Sequence, residues 1–500
     1  MRRDESRRGR HECLRHLALI LSCAFLFNFR TVERPSPSPL VTFRVVFLTG
    51  SADDPVDHPG LASLTAAMLA QGGSKSMAYE QIVEKLFPMA STVTWQVDKE
   101  MTTFSASTHA DNLEEFYGVF RAMLLDPGWR GEDLKRLRDQ HINALRVGLR
   151  GNNEEELGKE VLYNLLYAKH PYGHHNLGTV SGLGKITDED LRSFYRTSYT
   201  QANLILGIAG GYKPEFPARV KKDFGALPEG KIGNPNRPAT AKIEGLNVTI
   251  IEKNTRSVAV SMGFPIDVRR GHRDYPALLV AQSALGQHRA SGGRLYNNIR
   301  EKRGLNYGDY AYIEYFPRGM FLFEPDANLA RPSQVFQIWI RPLEIPTAHF
   351  GLRLALHELD KFVKDGLTAE EFQKTRSFLV KYANLLTKTK RAELGYAIDS
   401  LYYGTPEYTS YVRNGLAKLT PAEVNDAIRR HLGARGMHLV MVASDGEAWK
   451  KRLLADDPSP MKYNSPKPEA IMLEDQVVEK MKIGLAAAKV RVLDVSSLFE

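Results

Sequence analysis

The sequence predicts an α+β protein built from two homologous domains of about 200 residues each. Three observations support this prediction: an ordinary globular composition, three sequence patterns that recur in the same order, and β-rich runs mixed with amphipathic helices. The expected organisation is a targeting segment and linker (1–39), a first domain (40–230), a hinge (231–240), a second domain (241–455) and a tail that packs on the second domain (456–500).

Composition and charge exclude several classes of protein. The chain is 43% hydrophobic and 25% charged, which rules out disordered and collagen-like chains and disulfide scaffolds. Its 67 Lys and Arg outnumber 58 Asp and Glu, but seven of the arginines lie in residues 1–30, so the net charge of +9 does not indicate nucleic-acid binding. The two cysteines, Cys13 and Cys23, also lie there. The rest of the chain therefore offers no thiolate ligand and no cysteine nucleophile.

The N-terminal 39 residues are typical of a targeting segment followed by a linker. An Arg-rich stretch precedes the apolar run LALILSCAFLFNF (17–29), which is short for a membrane span. This pattern predicts export to the bacterial periplasm or cell envelope. A membrane anchor, a lipid on Cys23 and a start codon set too far upstream are alternatives. The run PSPSP (35–39) predicts an extended linker.

The first repeated pattern is a β-rich run followed by a proline that opens an apolar helix. FRVVFLTG (43–50) precedes Pro59, and VAVSMGF (258–264) precedes Pro276, 217 positions later. Proline is expected in the first helical turn, where its missing N–H would have no partner.

Two further patterns recur in register. An acidic helix start lies at Glu132 and again at Glu370. A capping box, in which a threonine hydroxyl accepts the amide three residues on, is predicted at Thr187 and again at Thr420. Three matches in the same order indicate a duplication. Within it, two helical stripes predict core residues: Leu113, Phe116, Val119, Phe120 and Met123, and Leu352, Leu354, Leu356, Leu359 and Phe362.

The segment PGLASLTAAMLAQGG (59–73) resembles the zinc-binding segment of the pitrilysin/insulinase metallopeptidases, the inverzincins, whose pattern is P-G-L-A-H-x-x-E-H-M-L-x-x-G. In that family two histidines bind zinc and the glutamate activates water. The matching positions here are Ser63, Ala66 and Ala67. The resemblance therefore implies a degenerate site, and we expect no catalytic residue and no metal ligand in this chain.

Other residues near this segment offer weaker candidates. Counting back from His170-Pro171 puts the family's third ligand at Leu162, with Glu160 two residues away. Ser63 as a nucleophile lacks an evident base. The cluster His170, His174 and His175 could bind a metal, although the family-like HPYG favours a structural loop. The run of three glutamates at 154–156 predicts a solvated helix start.

The segment SGGRLYNNIREKRGLNYGDYAYIEYF (291–316) resembles the family's substrate-binding segment, S-S-R-L-F-x-x-I-R-E-K-x-G-L-x-Y. The resemblance assigns substrate binding to Arg300, which would grip a peptide carbonyl or carboxylate, and to Tyr307, which would bond the scissile carbonyl and its oxyanion. The alternative is that Arg300 pairs with a structural acid and Tyr307 packs. Locally, a helix ending in a Gly304 cap and a strand starting at Tyr307 are predicted.

The resemblance implies mainly antiparallel sheets packed with helices, together half of a clamshell chamber. It further implies the non-catalytic, peptide-binding subunit of a two-chain zinc metalloendopeptidase, whose homologous partner carries H-x-x-E-H and the zinc. A structural or assembly protein of the same fold is the alternative, and an active metallopeptidase with unusual ligands is a second one. The family has one more strand before 43–50, where this sequence has the targeting segment and PSPSP, so either the start of the sequence is wrong or the first sheet is a strand short.

Overall fold

The computed structural model describes residues 28–233, 236–433 and 436–500. Most of the predicted targeting segment, including both cysteines, lies outside these residues. Within them, none of the helices is long and apolar enough to cross a membrane.

The first domain contains a five-stranded sheet. Its strands are β1 (Arg30–Pro35), β2 (Leu40–Phe47), β3 (Thr92–Val97), β4 (Thr102–His109) and β5 (Leu204–Gly210). The order across the sheet is β1-β5-β2-β4-β3, with β1 parallel to β5 and the other neighbours antiparallel.

The second domain repeats this topology. Its strands are β6 (Leu246–Glu252), β7 (Ser257–Ile266), β8 (Asp309–Tyr312), β9 (Gln334–Glu344), β10 (Met437–Ala443) and β11 (Val490–Asp494). The order is β11-β6-β10-β7-β9-β8, and the parallel pair β6 and β10 corresponds to β1 and β5. The extra strand β11, from the tail, lies parallel to β6 at the edge. The predicted duplication and α+β class are therefore confirmed.

Strand β1 excludes the alternative that the first sheet is a strand short, and it moves the start of the first domain. It pairs in register with β5 from Arg30 to Pro35 and buries Val32, so the first sheet has its full set of strands and the fold begins by Arg30 instead of residue 40. The sequence RTVERP hides this strand because it is short, polar and ends in proline. A proline is tolerated there because an edge strand needs hydrogen bonds on one side only.

Helices cover both sheets. In the first domain they are α1 (Leu61–Gln71), α2 (Tyr79–Leu86), α3 (Leu113–Leu125), α4 (Gly131–Asn143), α5 (Glu154–Leu166), α6 (Val180–Lys185), α7 (Asp188–Ser198) and α8 (Phe216–Phe224). In the second domain and tail they are α9 (Tyr275–Gly286), α10 (Ala348–Asp365), α11 (Ala369–Leu386), α12 (Lys390–Tyr403), α13 (Tyr408–Lys418), α14 (Pro421–His431), α15 (Gly446–Ala455) and α16 (Glu469–Val478). Two π-helical segments occupy Ala144–Gly151 and Tyr296–Glu301.

The local signals for these helices are mostly confirmed. Thr187 and Thr420 each accept the predicted amide at 3.3 Å, and each N3 carboxylate bonds back. Pro276 lies in the first turn of α9. Pro59 does not open α1, because the helix begins at Leu61 after Gly60, which has a φ of +105° and where a Cβ would lie 2.6 Å from the Leu177 carbonyl oxygen. The ten residues of the two predicted stripes are all buried.

The two domains exchange helices. Helix α5 of the first domain packs on β7 and β10 of the second, and α12 of the second packs on β5 and β2 of the first. These helices occupy equivalent places in the duplication, between the acidic helix start and the capping box. Each carries the pair Leu-Gly at its crossing point, with Gly158 against Ser261 and Gly395 against Arg44. The interface is therefore nearly symmetric.

The tail reaches further than predicted. After β11 the last residues cross to the first domain, where the Val180 and Ser181 amides donate to the carbonyls of Phe499 and Glu500 at 2.9 and 2.8 Å. The Glu500 carboxylate pairs with Arg146 and Arg150. The tail packs on the second domain through β11, and in addition Phe499 buries its ring in the first-domain core.

Candidate functional site

The three degenerate positions lie inside the first-domain core. Ser63, Ala66 and Ala67 lie on α1 and are 1%, 0% and 0% exposed. Every residue of α1 from Leu61 to Ala70 is buried, because the helix packs against α4, α7 and β3. A substrate in solvent therefore has no direct access to these positions.

Ser63 has a histidine partner that the sequence did not reveal. Its Oγ lies 3.0 Å from Nε2 of His141, on α4. The other ring nitrogen, Nδ1, lies 2.9 Å from the Leu137 carbonyl and must carry the proton, so Nε2 accepts from the serine hydroxyl. Trp95 stacks on the imidazole at 5.8 Å, and burial lowers the pKa of His141 to about 4. The expectation that Ser63 lacks a base is wrong, but the pair is sealed.

These residues do not fit a zinc ion. Two alanines supply no ligand, and the lone pair of His141 Nε2 is already used by Ser63. The predicted third-ligand position, Leu162, is buried on α5, and Glu160 on that helix contacts Tyr315 at 3.4 Å and His175 at 3.7 Å. Across the described parts of the chain, no group of three or more His, Cys, Asp or Glu is arranged to hold a metal. We derive no chemistry through zinc here.

The histidine cluster and the glutamate run serve packing. His170 Nε2 donates to the Pro238 carbonyl at 3.0 Å, whereas His174 Nε2 lies 3.1 Å from Asp54. The ring of His175 is partly buried, and desolvation lowers its pKa to about 3. These histidines therefore bond to separate partners and do not converge.

Glu155 and Glu156 are buried, contrary to the predicted solvated helix start. They pair with the fully buried Lys159 at 3.3 and 2.9 Å, and that ammonium lies 3.4 Å from the Trp339 ring centre. Because α5 packs on the sheet of the second domain, its charged face contacts that domain instead of water.

Arg300 and Tyr307 are brought together on the surface of the second domain. Arg300 lies in the π-helical segment Tyr296–Glu301, and the amides of Gly304 and Leu305 bond back to the carbonyls of Arg300 and Ile299 at 2.7 and 3.2 Å. This is the predicted glycine cap, with Gly304 at φ +69°. The turn returns the chain so that Arg300 Nη1 donates to the Tyr307 carbonyl at 2.6 Å.

The side chains of this pair remain accessible. Tyr307 is 63% exposed, and the guanidinium carbons of Arg300 and Arg341 lie 4.5 and 5.1 Å from its ring centre. Arg300 has an ion pair with its neighbour Glu301 at 3.6 Å. Behind the turn, burial raises the pKa of Asp309 to about 8. The surface here is therefore positively charged and carries an open phenol, a combination suited to carbonyl and carboxylate groups.

Sequence reasoning missed a cleft in the second domain, with a solvent-accessible cavity volume of about 80 Å³. It lies between α9, α11, α12, α13 and the long connection from β8 to β9, and its lining is rich in tyrosine. The register of the duplication could have pointed to it. Leu379, in the wall of the cleft, lies 238 positions after His141, which is also the spacing of the two acidic helix starts, so a leucine stands here where the first domain has a histidine.

Two family models match the chain side by side. The description Insulinase (Peptidase family M16) matches residues 31–180, and Peptidase M16 inactive domain matches residues 185–379. A Helicobacter pylori protein named Non-peptidase homolog YmxG is 21% identical over 81% of this chain and 89% of its own. Cytochrome b-c1 complex subunit 1 of Caenorhabditis elegans is 22% identical over 83% and 86% of the two chains.

Solved structures share the fold. The peptidase M16 inactive domain from Pseudomonas fluorescens superposes with a TM-score of 0.71 at 22% identity, covering 83% of this chain and 96% of that one. The duplicated sheets, the two adjoining family matches and the replaced residues of the zinc motif lead to one conclusion. The chain belongs to the insulinase family of peptidases, M16, as a homologue without that family's zinc-binding histidines and catalytic glutamate at 63, 66 and 67.

Proposed function

We propose that this chain is the non-catalytic, peptide-binding subunit of a two-chain zinc metalloendopeptidase. A homologous partner would supply the H-x-x-E-H motif, the zinc and the general base. This chain would complete the chamber and hold the peptide with Arg300 and Tyr307.

The contrast between two segments carries the proposal. The zinc-segment positions are sealed in a packed core, whereas the Arg300–Tyr307 segment keeps the family residues on an accessible surface. Tyr307 is 63% exposed and lies between the guanidiniums of Arg300 and Arg341, which supports a ligand-binding role for this surface. The Arg300 guanidinium can donate to a peptide carbonyl or carboxylate, and the Tyr307 hydroxyl can donate to an oxygen that gains charge.

Co-expression with homologous chains that carry H-x-x-E-H tests the proposal. We expect a defined 1:1 complex in light scattering and chelator-sensitive peptide cleavage by the complex but by neither chain alone. Arg300→Ala should raise KM for the peptide, because the guanidinium would hold substrate in both ground and transition states. The matched control is Arg429→Ala, which removes an exposed arginine from an i,i+3 pair on α14. A chain that ignores every such partner would refute the two-chain enzyme.

A structural or assembly role is the second candidate. The similarity to a subunit named for the cytochrome b-c1 complex, and to a protein named a non-peptidase homolog, supports it. In that case the chain would form a stable assembly without peptidase activity, and Arg300→Ala would leave that assembly unchanged. Export remains a further proposal, which cell fractionation with an antibody against the second domain would test.

A further inference from the structure

The second-domain cleft is the counterpart of the sealed zinc-segment position. Its walls α9 and α11 correspond to α1 and α4 in the duplication, and Leu379 takes the place of His141. In the first domain that space is filled by the Trp95–His141 stack. In the second domain the corresponding space remains open as the cleft, with an accessible volume of about 80 Å³. The equivalent space is therefore filled in the first domain and accessible in the second.

The connection between the two outer strands of the sheet also differs between the domains, being short in the first and long in the second. In the first domain four residues, 98–101, join β3 to β4. In the second domain the connection from β8 to β9 runs over residues 313–333 and forms one side of the cleft with Tyr315, Asp326 and Leu329. It is anchored to the first domain by Arg331, which bonds both oxygens of Asp98 at 2.6 and 2.8 Å. The wall is thus fixed and not a loose loop.

The cleft combines an apolar wall with an aromatic one. Leu379, Ala383 and Leu386 of α11 line one side, and Tyr396, Tyr403 and Tyr408 line another. The three tyrosine rings already hold a cation, because the Arg270 guanidinium carbon lies 5.2, 5.9 and 4.8 Å from their centres. An aliphatic stem would pack along the first wall, and its positive end would have to pair with a carboxylate that Arg270 does not engage.

Carboxylates outnumber cations in the lining. Glu314 holds Arg270 through two bonds of 3.0 and 3.1 Å, and Asp399 approaches the same guanidinium at 3.4 Å. Asp326 is a third carboxylate, 31% exposed, and it pairs only with Arg318, which is 58% exposed. Such an exposed pair exchanges partners at little cost. Arg44 of the first sheet faces Asp399 from behind Gly395 and does not line the cleft.

We infer that this cleft binds the side chain of an arginine or lysine residue in a peptide. The aliphatic stem would lie against α11, and the cationic end would pair with Asp326 in place of Arg318. The inference rests on the proposed peptide-binding role for the source of the basic group, and it adds a preference for basic peptides that the Arg300–Tyr307 pair does not supply.

Binding of short blocked peptides tests the cleft without any partner chain. The probes are acetyl-Ala-Arg-Ala-amide and the same peptide with citrulline, which keeps the shape of arginine and removes its charge. Calorimetry on the full chain should show the arginine peptide binding about tenfold more tightly than the citrulline peptide. Asp326→Asn should weaken the arginine peptide several-fold and leave the citrulline peptide unchanged. Asp426→Asn is the matched control, because Asp426 forms a comparable exposed pair with Arg429.

Two results would overturn the inference. One is equal binding of the two peptides, or no binding at about 10 mM. The other is an Asp326→Asn effect no larger than that of Asp426→Asn. Ala383→Phe, which fills the cleft, should abolish binding, and a melting curve would show that this variant is folded. If the cleft does not bind the arginine peptide while Arg300→Ala still impairs a two-chain peptidase, the proposed function stands and only the cleft assignment is wrong. If the cleft binds arginine but no catalytic partner exists, only the enzyme role fails.

Discussion

Gly158 and Gly395 are structural counterparts, each following a leucine in the helix that its domain lends to the other. Their surroundings differ. A Cβ at Gly158 would lie 3.2 Å from the Ser261 hydroxyl, whereas a Cβ at Gly395 would lie 1.9 Å from Arg44 Nη1 and 2.6 Å from the Ala327 Cβ. The second crossing is therefore tighter than the first, and the near symmetry of the interface is broken at this point.

Alanine substitutions should reveal this difference. Gly395→Ala should lower the free energy of unfolding by about 2–4 kcal/mol, because the guanidinium and the Ala327 backbone must both shift. Gly158→Ala should stay within about 1 kcal/mol of the parent, since the gain in helix propensity offsets one tight contact with a rotatable hydroxyl. Urea denaturation measures both variants. Equal losses would show that the two crossings are equally tight.

The Ser63–His141 pair should make stability depend on pH. The pKa of His141 is about 4 in the folded chain against an ordinary value of 6.5. The unfolded chain therefore takes up the proton first, and the stabilisation present above pH 6.5 is lost as the pH falls toward 4. For this one group the loss is about 3 kcal/mol.

A double variant isolates that contribution from other buried histidines. Ser63→Ala with His141→Leu removes both members of the pair, so neither is left buried without the other, and the Leu137 carbonyl loses only the bond from the imidazole. As the pH falls from 7 to 4, the parent should lose more unfolding free energy than the variant. A difference that stays constant over this range would mean that His141 does not titrate in it.

Restoring the family motif should not restore a zinc site. Ser63→His, Ala66→Glu and Ala67→His together add volume and a charge at three positions that are at most 1% exposed. Burial of an unpaired charge and overpacking should lower the free energy of unfolding by about 3 kcal/mol or more. We expect a lower melting temperature and less than one zinc per chain by mass spectrometry. A triple variant with one zinc and an unchanged melting temperature would show that the position is open.

Tyr307→Phe should affect catalysis by the complex and leave folding intact. The change deletes one hydroxyl from a largely exposed ring, so packing is preserved. If that hydroxyl stabilises the developing oxyanion, kcat should fall by about 10²–10³ with little change in KM. Thermal melts serve as the control. Unchanged turnover, or a loss of activity that follows unfolding, would assign the tyrosine a structural role.

Local signals made part of the fold predictable. Thr187 and Thr420 cap their helices as expected because a capping box needs only four consecutive residues. The intact segment at Arg300 likewise has its cap at Gly304, three residues from the helix end. Where sequence and geometry are coupled over a few residues, reading the sequence was sufficient.

Relationships between distant residues were not predictable in this way. His141 lies 78 positions from Ser63, and only the packing of α4 on α1 brings them together. Strand β1 is recognisable through its pairing with β5, because RTVERP has no strand pattern of its own. Glu155 and Glu156 looked solvated since nothing in the sequence indicates that α5 lies on the other domain. The cleft depends on four helices and a connection that are separated along the chain.

The path of the tail has a consequence for the order in which contacts form during folding. The two carbonyls that accept from the Val180 and Ser181 amides belong to Phe499 and Glu500, 319 positions later in the chain. N-terminal domains fold first during synthesis. The first domain therefore forms before this contact is possible, and the contact is made only after the second domain has been synthesised. A variant truncated before Phe499 would keep both sheets and lack this one connection between the tail and the first domain.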